Sequence, residues 1–307
     1  MCGIVGLLDK TNNPERRTGE LVLAMLRALG CRGPDSAGMA LMQSGRQSDG
    51  AWTLRIAPAG LAEEALGALN SLGRVESPER QGETLRLRFH PQPGVSPDEL
   101  ERYLGARRGG LEVLCLGEQL DLVKQVGSPD ALEATFGVSE WRGPLAIGHT
   151  RMSTESRIDL SHSQPFWAHG VPDVATVHNG HVTNYHQLRR QYHERGVTFY
   201  TDNDSEVIGV YLRDRVEQGR SLQEALADSV TDLDGSFCYL VVSPDGLGMV
   251  RDRFGFKPLV VTETDEFVAV ATEEIALRRA LPGRFRVFEP PPGRASWFAL
   301  ADIPVLI

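Results

Sequence analysis

The chain begins with the apolar stretch MCGIVGLL, residues Met1–Leu8, which is followed directly by Asp9. It has no basic flank, so we expect a buried first strand and no secretory signal peptide. A Met before a small residue is usually trimmed, which would leave Cys2 as the N-terminal residue. Its α-amine would have a pKa of roughly 7.7–8.0, and nucleophile and base would then sit in one residue. From Cys2 alone, an inert cysteine in a buried strand is the favoured interpretation.

The composition indicates an ordinary globular protein and excludes several kinds of partner. The 307 residues include 41% hydrophobic and 24% charged residues, and the net charge is -9. A nucleic-acid surface requires clustered Lys and Arg, and a membrane span requires a long apolar run, neither of which occurs. We therefore expect no nucleic acid and no membrane as a partner, and a cytoplasmic location.

The cysteines and histidines do not indicate a metal site. None of the four cysteines forms a Cys-x-x-Cys pair, and their wide spacing is not that of a disulfide framework. Most histidines lie between residues 149 and 193, but without an acidic His-x-x-His pattern, so we predict no metal. Cys31, Cys115 and Cys238 are expected to pack as small hydrophobic residues.

The chain divides into three stretches, and the middle one has a different pattern. The first, 1–42, reads as strand, helix, turn and strand. The second, 43–142, has the order β-α-β-β-α-β of a ferredoxin-like unit, followed by one more helix. The third, 143–307, has strands joined by short turns, which implies antiparallel sheets. We therefore predict an α+β protein whose domain, 2–307, is interrupted by an inserted α+β subdomain at 43–142.

The elements behind this division follow from apolar periodicity and capping residues. The predicted helices are 20–29, 61–72, 96–107, 128–136, 185–195, 205–218 and 221–229. The predicted strands are 2–8, 37–42, 52–57, 74–76, 84–90, 111–116, 144–149, 175–178, 236–243, 246–251, 259–263 and 267–271.

Two arginine-containing motifs have both a chemical and a structural interpretation. Arg32–Gly38 combines charged and turn residues, and alone it indicates a turn closed by a salt bridge. His149–Thr154 follows a predicted strand and places Arg151 among hydroxyl groups. A guanidinium there could hold a carboxylate through two parallel hydrogen bonds. The alternative is a structural arginine that caps backbone carbonyls.

The tripeptide His178-Asn179-Gly180 ends another predicted strand. A side-chain amide beside a glycine N–H can form an oxyanion-binding pair. From the tripeptide alone, an Asn-Gly turn is the favoured interpretation.

An acidic segment, Asp202–Glu206, precedes a predicted helix. It superficially resembles a calcium loop, but Val207 and Arg213 occupy the positions that require Gly and Glu, so we reject an EF-hand. Two interpretations remain: helix capping by Asp204 or Ser205, or a carboxylate that pairs with a substrate ammonium.

Taken together, these segments resemble the class II glutamine amidotransferases, which are N-terminal-nucleophile hydrolases. Each motif is weak singly, but seven in the family's order, with Cys at position two, are specific. The match covers the first and third stretches of the chain. The motifs are Met1–Gly6, Arg32–Gly38, His149–Thr154, Gln164–Phe166, His178–Gly180, Asp204–Glu206 and Arg251–Leu259.

The resemblance implies a four-layer αββα sandwich with two antiparallel sheets, and a catalytic role for three residues. Cys2 would attack the side-chain amide carbon of glutamine, and its α-amine would relay the proton to the leaving ammonia. Asn179, through its side chain, and Gly180, through its backbone N–H, would hold the oxyanion. Water would then release glutamate from the thioester.

The same resemblance implies a set of substrate-binding residues. Arg151 would bind the α-carboxylate, with Thr154 nearby, and Asp204 would bind the α-ammonium. Arg32 would brace the Cys2 end of the first strand, and His178 belongs to the same substrate-binding motif as Asn179. A charged partner for each end of the amino acid fits selection of free glutamine over a peptide.

Within the family, the chain is similar to the amidotransferase subunit of N-methylglutamate synthase (methylamine–glutamate N-methyltransferase) and to glutamate-synthase-type amidotransferases. The supporting features are the length, the insert, and the segments Leu122–Pro129, Thr201–Glu206 and Glu289–Gly293. This resemblance implies a glutamate-synthase-like partner that carries FMN and iron–sulfur clusters, and no cofactor in this chain. One departure is Ser161-His162-Ser163, where the wider family often has an Asn before Gln-Pro-Phe. It leaves open how this wall of the pocket is built.

Three functions remain open at this point. The first is a glutamine amidotransferase that passes ammonia to a synthase partner. The second is a catalytically silent glutamine- or glutamate-binding subunit, against which the intact Cys2, Asn179 and Gly180 argue. The third is another N-terminal-nucleophile cysteine amidohydrolase, acting on bile-salt or penicillin-like amides. Arg151 with Asp204 argues for a free amino acid instead.

Overall fold

The first strand, β1 (Gly3–Asp9), is buried along its whole length near the middle of a six-stranded antiparallel sheet. The computed structural model describes residues 2–300 except 12, 14–15, 46–48, 108–109 and 154–156. Because both faces of β1 are covered, its sequence is an apolar run without alternation. In order across the sheet, the strands are β13 (Val260–Glu263), β14 (Phe267–Ala271), β1, β8 (Leu145–Arg151), β2 (Ser36–Met42) and β7 (Leu120–Val126).

A second antiparallel sheet of five strands faces the first. Gly6 marks how closely the two sheets approach, because a Cβ on it would lie 3.0 Å from the Leu240 side chain of the facing sheet. The apolar core between the sheets includes Ile4, Ile147 and Leu240. In order across the second sheet, the strands are β15 (Arg294–Ala299), β12 (Gly246–Arg251), β11 (Gly235–Ser243), β10 (Ala175–Val182) and β9 (Phe166–Trp167).

Helices cover the outer face of each sheet. Helices α1 (Thr18–Ala28), α4 (Pro129–Phe136) and α8 (Glu274–Ala280) pack on the six-stranded sheet. Helices α6 (Asp204–Glu217) and α7 (Leu222–Asp232) pack on the five-stranded sheet, and α5 (Tyr185–Glu194) packs against α6. The layers therefore run helix, sheet, sheet, helix, which confirms the predicted αββα sandwich.

The middle stretch forms a sheet of its own, in the predicted β-α-β-β-α-β order. The strand order across this sheet is β4-β5-β3-β6, so the four strands lie in the order second, third, first and fourth, as in a ferredoxin-like unit. The elements are β3 (Trp52–Ala57), α2 (Ala62–Asn70), β4 (Gly73–Gln81), β5 (Thr84–Pro91), α3 (Pro97–Gly105) and β6 (Glu112–Gly117).

The segment with its own sheet, 52–117, is narrower than the predicted insert of 43–142. Strand β7 and helix α4 fall inside that range, but β7 pairs with β2 and α4 covers the six-stranded sheet. Met42 lies opposite Leu120, and the Gln43 N–H donates to the Gln119 carbonyl at 2.9 Å. The insert thus leaves and re-enters the sandwich at one end of the β2–β7 pair, where a hairpin turn would otherwise stand.

Several elements differ from the sequence-based prediction. Strands β7, β9 and β15 and helix α8 were not predicted, and β4 is longer than the predicted 74–76. The predicted connector Glu289–Gly293 leads into β15, an edge strand paired with β12. None of the helices in the described residues is both long and apolar enough to cross a membrane.

Candidate active site

Cys2 lies at the start of β1, on the wall of a cleft of about 360 Å³. Strand β1 pairs with β8 so that Gly3 lies opposite Thr150, which brings Cys2 beside the residues that follow β8. The Met152 N–H donates to the Cys2 Sγ at 3.5 Å, and the Sγ contacts the Met152 carbonyl at 3.6 Å. Five of the predicted site residues line this one cleft: Cys2, Arg151, His178, Gly180 and Asp204.

Asn179 and Gly180 lie inside β10, not in a turn. They pair with Cys238 and Phe237 of β11, which excludes the Asn-Gly turn. The Asn179 amide nitrogen donates to the Cys2 backbone carbonyl at 3.2 Å, so the side chain reaches the Cys2 end of β1. Gly180 has φ +129°, and a Cβ on it would lie 2.2 Å from the Ser236 carbonyl oxygen. Only glycine fits there, and its backbone borders the cleft.

Arg151 is the last residue of β8 and is only 4% exposed. Its guanidinium donates to the Arg157 carbonyl at 2.8 Å and to the Ser153 hydroxyl at 3.4 Å. Burial lowers the pKa of Arg151, and the nearby acidic groups oppose this shift. A buried guanidinium on a cleft wall can bind a carboxylate, while the Arg157 contact shows that it also caps a backbone carbonyl. Thr154, which was predicted to lie nearby, is outside the described residues.

Asp204 is the first residue of α6, where the helix dipole favours negative charge. Its Oδ2 accepts a hydrogen bond from the Val182 N–H at 2.8 Å and lies 3.4 Å from the His181 Nδ1. The helix cap is Asn203, whose side chain accepts from the Ser205 N–H at 3.0 Å. The prediction that Asp204 or Ser205 caps this helix was therefore wrong, and the Asp204 carboxylate borders the cleft.

Arg32 does not line the cleft and instead braces it from behind. Its Nε donates to the Cys2 carbonyl at 3.3 Å, and the guanidinium forms an ion pair with Glu273. The neighbouring Gly33 packs so tightly that a Cβ would lie 2.4 Å from the Thr150 carbonyl carbon. The Arg32–Gly38 motif therefore fixes the ends of β1 and β8 against each other.

His178 is 2% exposed and presents only an edge to the cleft. Its Nδ1 is hydrogen-bonded to the Ser205 hydroxyl at 2.8 Å. Burial lowers the pKa of His178, and it lowers that of the adjacent His149 to about 3. Both rings are therefore neutral at pH 7, and they add no positive charge beside Cys2.

Gln164 is a site residue whose role the sequence did not reveal. Its Oε1 accepts from the His178 N–H at 2.6 Å, and its Nε2 donates to the His178 carbonyl at 3.2 Å and to the Ser205 hydroxyl at 3.1 Å. Strand β9 pairs with β10 only at Ala175 and Thr176, so the Gln164 side chain takes the place of a strand beyond them. The Gln164–Phe166 motif marked this position in the sequence. However, a side chain that replaces the backbone hydrogen bonds of a strand produces no periodic pattern that sequence analysis could detect.

The Ser161-His162-Ser163 segment lies behind the cleft-lining residues Gln164 and Asp202 and is organised around His162, another residue without an assigned role. Its ring lies between the carboxylates of Asp159 and Asp202. The sequence marked this position only as a departure from the family pattern.

The remaining cysteines lie away from this chemistry. Cys115 and Cys238 are buried, as predicted, but Cys31 is exposed beside Arg32, so its predicted packing was wrong. The short turn 30–32 that carries Cys31 has no buried residue. Within the ranges that the structure describes, no group of three or more His, Cys, Asp or Glu residues is arranged to hold a metal ion.

Comparison with known proteins gives the same family that the motifs resemble. A family model described as a glutamine amidotransferase domain matches residues 149–279. A protein named "Putative glutamine amidotransferase" from Methanothermobacter thermautotrophicus is 33% identical, over 94% of this chain and 100% of its own length. The glutamine amidotransferase-like protein GlxB from Rhizobium meliloti is 34% identical, over 95% of this chain and 96% of its own length.

Longer enzymes share the fold. The glutamine phosphoribosylpyrophosphate amidotransferase from B. subtilis, solved with ADP and GMP, superposes with a TM-score of 0.62 at 18% identity, over 96% of this chain and 46% of its own length. The chain thus spans about half of that protein, and the likeness supports the fold alone. Taken with the two full-length relatives, it leads to one conclusion: this chain belongs to the class II glutamine amidotransferases and is an enzyme of that class.

Proposed function

We propose that Cys2, as the N-terminal residue, hydrolyses L-glutamine to glutamate and ammonia, and that the ammonia passes to a synthase partner. The observation that carries this proposal is the convergence on one cleft of a thiol, a glycine backbone, a cation and a carboxylate. These groups come from the residue that precedes β1 and from β10, β8 and α6, which are distant in sequence. Their types match what an amino-acid amide requires.

The proposed reaction begins with attack of the Cys2 thiolate on the side-chain amide carbon of glutamine. The α-amine takes the thiol proton, and the oxyanion is held by the Asn179 amide and the Gly180 N–H. When the tetrahedral intermediate collapses, the carbon–nitrogen bond breaks and the α-ammonium protonates the leaving group, so ammonia departs. Water, deprotonated by the α-amine, then cleaves the thioester and regenerates the thiol with glutamate.

The other end of the substrate meets two opposite charges. We assign Arg151 and Thr154 to the α-carboxylate and Asp204 to the α-ammonium. Arg151 and Asp204 are largely buried, and opposite charges attract each other more strongly in such a site than in water. His178 supports this wall through Ser205, and Arg32 holds the Cys2 carbonyl.

The proposed partner is a glutamate-synthase-like or N-methylglutamate-synthase-like subunit that carries FMN and iron–sulfur clusters and supplies the ammonia acceptor. No flavin, nucleotide or phosphate motif occurs in this sequence, so we assign it no cofactor. Release of ammonia without an acceptor would waste glutamine. The free cysteines of the described part of the chain fit a cytoplasmic setting for this complex.

The proposal is tested by measuring ammonia release from L-glutamine for the wild type and for Cys2→Ala. We expect the variant to lose activity by about 10³-fold or more, because it lacks the thiol nucleophile and keeps only the α-amine. Cys31→Ala is the matched control, since Cys31 is an exposed cysteine outside the cleft, and it should retain full turnover. Activity that survives in Cys2→Ala would refute the assignment of the nucleophile.

The partner is tested separately. We expect the isolated chain to release ammonia but to aminate no acceptor, and amination to appear when synthase subunits are added. Amination by the isolated chain would contradict this part of the proposal. If the chain released no ammonia even with the subunits added, but still bound glutamine, it would be a catalytically silent binding subunit.

A further inference from the structure

Two loops border the end of the cleft where Arg151 and Asp204 lie, and they meet at His162. One loop follows β8 and therefore follows Arg151. The other leads into α6 and therefore precedes Asp204. The separation of the two proposed binding charges thus depends on how these loops are joined.

The His162 ring joins them directly. Its Nδ1 lies 2.7 Å from the Asp159 Oδ1 within its own loop, and its Nε2 lies 2.7 Å from the Asp202 Oδ1 of the other loop. The backbone adds a second connection, because the Asn203 amide donates to the His162 carbonyl at 3.4 Å. His162 is only 8% exposed, whereas the Asp202 side chain is 81% exposed and borders the cleft, so the bridge joins a buried ring to a carboxylate at the edge of the cleft.

The two ring nitrogens of His162 each face a carboxylate, one on each loop. An ionised carboxylate only accepts hydrogen bonds. Hydrogen bonding from His162 lowers the pKa of Asp202. Burial raises the pKa of Asp159, but the hydrogen bonds from the His162 backbone and ring outweigh it, and the net shift is downward. Both carboxylates are therefore ionised at neutral pH.

The other charges around the bridge hold the first loop in place. Lys124 on β7 donates to the carbonyls of Ser161 and Ser163 at 3.3 and 3.1 Å. Arg151 acts on Asp159, Arg189 acts on Asp202, and Glu112 and Glu206 lie near Lys124. Lys124 thus fixes the His162 loop to β7, and the His162 ring adds to the Val182 contact of Asp204 in holding the Asp202–Asp204 segment.

We propose that His162 is a positioning residue for glutamine, and that its ring, between Asp159 and Asp202, holds the Asp204 loop at the distance from Arg151 that fits an α-amino acid. The inference rests on the proposed roles of Arg151 and Asp204. Loss of the bridge weakens substrate binding without touching the Cys2 chemistry. The proposal therefore predicts a rise in KM at nearly constant kcat.

The test is steady-state glutaminase kinetics for the wild type and His162→Asn. We expect KM for glutamine to rise about tenfold in the variant, with kcat within about twofold of wild type. His193→Asn is the matched control, because His193 is exposed on α5 and its ring packs against Phe199 outside the cleft. The control should leave both KM and kcat unchanged.

A second variant separates positioning from general loss of structure. His162→Arg supplies several hydrogen-bond donors that can face both carboxylates, so we expect its KM to return part of the way to the wild-type value. The inference is overturned if His162→Asn leaves KM for glutamine unchanged, with or without a fall in kcat.

A binding measurement separates this inference from the proposed nucleophile. Calorimetric titration of L-glutamine into Cys2→Ala and into Cys2→Ala/His162→Asn reports binding without turnover. Weaker binding in the double variant supports the role of His162 even if the wild type proves inactive. Equal binding overturns that role even if Cys2 proves to be the nucleophile.

Discussion

At the scale of single residues, the backbone around Asn179 determines what its side chain can do. In a turn, an Asn-Gly pair would point to solvent. In β10, the same pair is fixed against β11, and the Asn179 amide reaches the Cys2 carbonyl at 3.2 Å. The tripeptide alone favoured the turn, and only the surrounding motifs favoured the oxyanion role.

Asn179→Ala should therefore impair chemistry more than binding. We expect kcat to fall by about 10²–10³-fold with a small change in KM, because an oxyanion donor acts mainly in the transition state. Steady-state kinetics with glutamine measures this. Asn70→Ala, at an exposed position on α2, is the control. A rise in KM at constant kcat would instead assign Asn179 to ground-state binding.

Arg151→Lys should have the opposite signature. Lysine keeps the charge but loses the paired donors of the guanidinium, so we expect KM for glutamine to rise about 10–100-fold with a smaller change in kcat. Discrimination between glutamine and its α-carboxamide derivative should fall in parallel. Arg190→Lys, on the exposed face of α5, should change neither quantity. Unchanged discrimination would show that Arg151 only caps the Arg157 carbonyl.

At the scale of elements, β10 positions the site residues because its neighbours fix its backbone. Gly180 has no room for a Cβ, and Gln164 takes the place of a strand along part of β10. Both features depend on packing across the chain. The sequence identified the residues, but their spatial roles follow from the sheet.

Gly180→Ala should show this constraint as a loss of stability. The added Cβ would meet the Ser236 carbonyl at 2.2 Å in a backbone conformation that alanine disfavours, so we expect a loss of about 3 kcal/mol or more. Gly219→Ala has a positive φ as well but open space around it, and it should lose only about 1 kcal/mol. Urea unfolding compares the two variants. Equal losses would mean that the contact with β11 is relaxed at little cost.

The sequence predicted elements well where their pattern was local. The helix predicted at 221–229 begins at a capping box that Ser221 and Glu224 form in the structure. Strand β7 was missed because it is buried for most of its length, so its sequence does not show which sheet it joins. His162 was missed as a functional residue for a related reason, since its partner Asp202 is brought close only by the fold.

At the scale of the whole molecule, two buried histidines between the sheets make stability depend on pH. The His149 Nε2 contacts the His178 carbonyl at 3.1 Å, which links β8 of one sheet to β10 of the other. An unfolded histidine gains a proton below about pH 6.5, whereas burial holds the pKa of His149 at about 3 in the folded protein. Between these values the unfolded state binds more protons, so stability falls as pH falls.

We expect the free energy of unfolding to decrease below pH 6.5, with His149 contributing a slope of about 1.4 kcal/mol per pH unit. Urea unfolding at several pH values between 5 and 7 measures this slope. His149→Gln should flatten it, while His193→Gln at an exposed position should not. A slope that His149→Gln leaves unchanged would assign the acid sensitivity to other groups.

A third buried histidine, His169, changes stability in the opposite direction, because its contribution is lost as pH rises. Burial disfavours the charged form of His169, but Glu101 on α3 and Glu206 on α6 outweigh it and raise its pKa. The stabilisation from this contact is present below the unfolded pKa and is lost as pH rises through the folded pKa. His169 therefore links the insert to the sandwich most strongly below the unfolded pKa of about 6.5, and the link weakens as pH rises through the higher folded pKa.

The central claim is that an N-terminal Cys2, nucleophile and base in one residue, releases ammonia from glutamine. The most direct test compares two preparations of the same sequence, one with Cys2 confirmed by mass as the N-terminus and one that retains Met1. We predict ammonia release from L-glutamine only by the first, because a peptide bond at Cys2 removes the free amine. Equal turnover by the Met1-retaining protein would contradict the account.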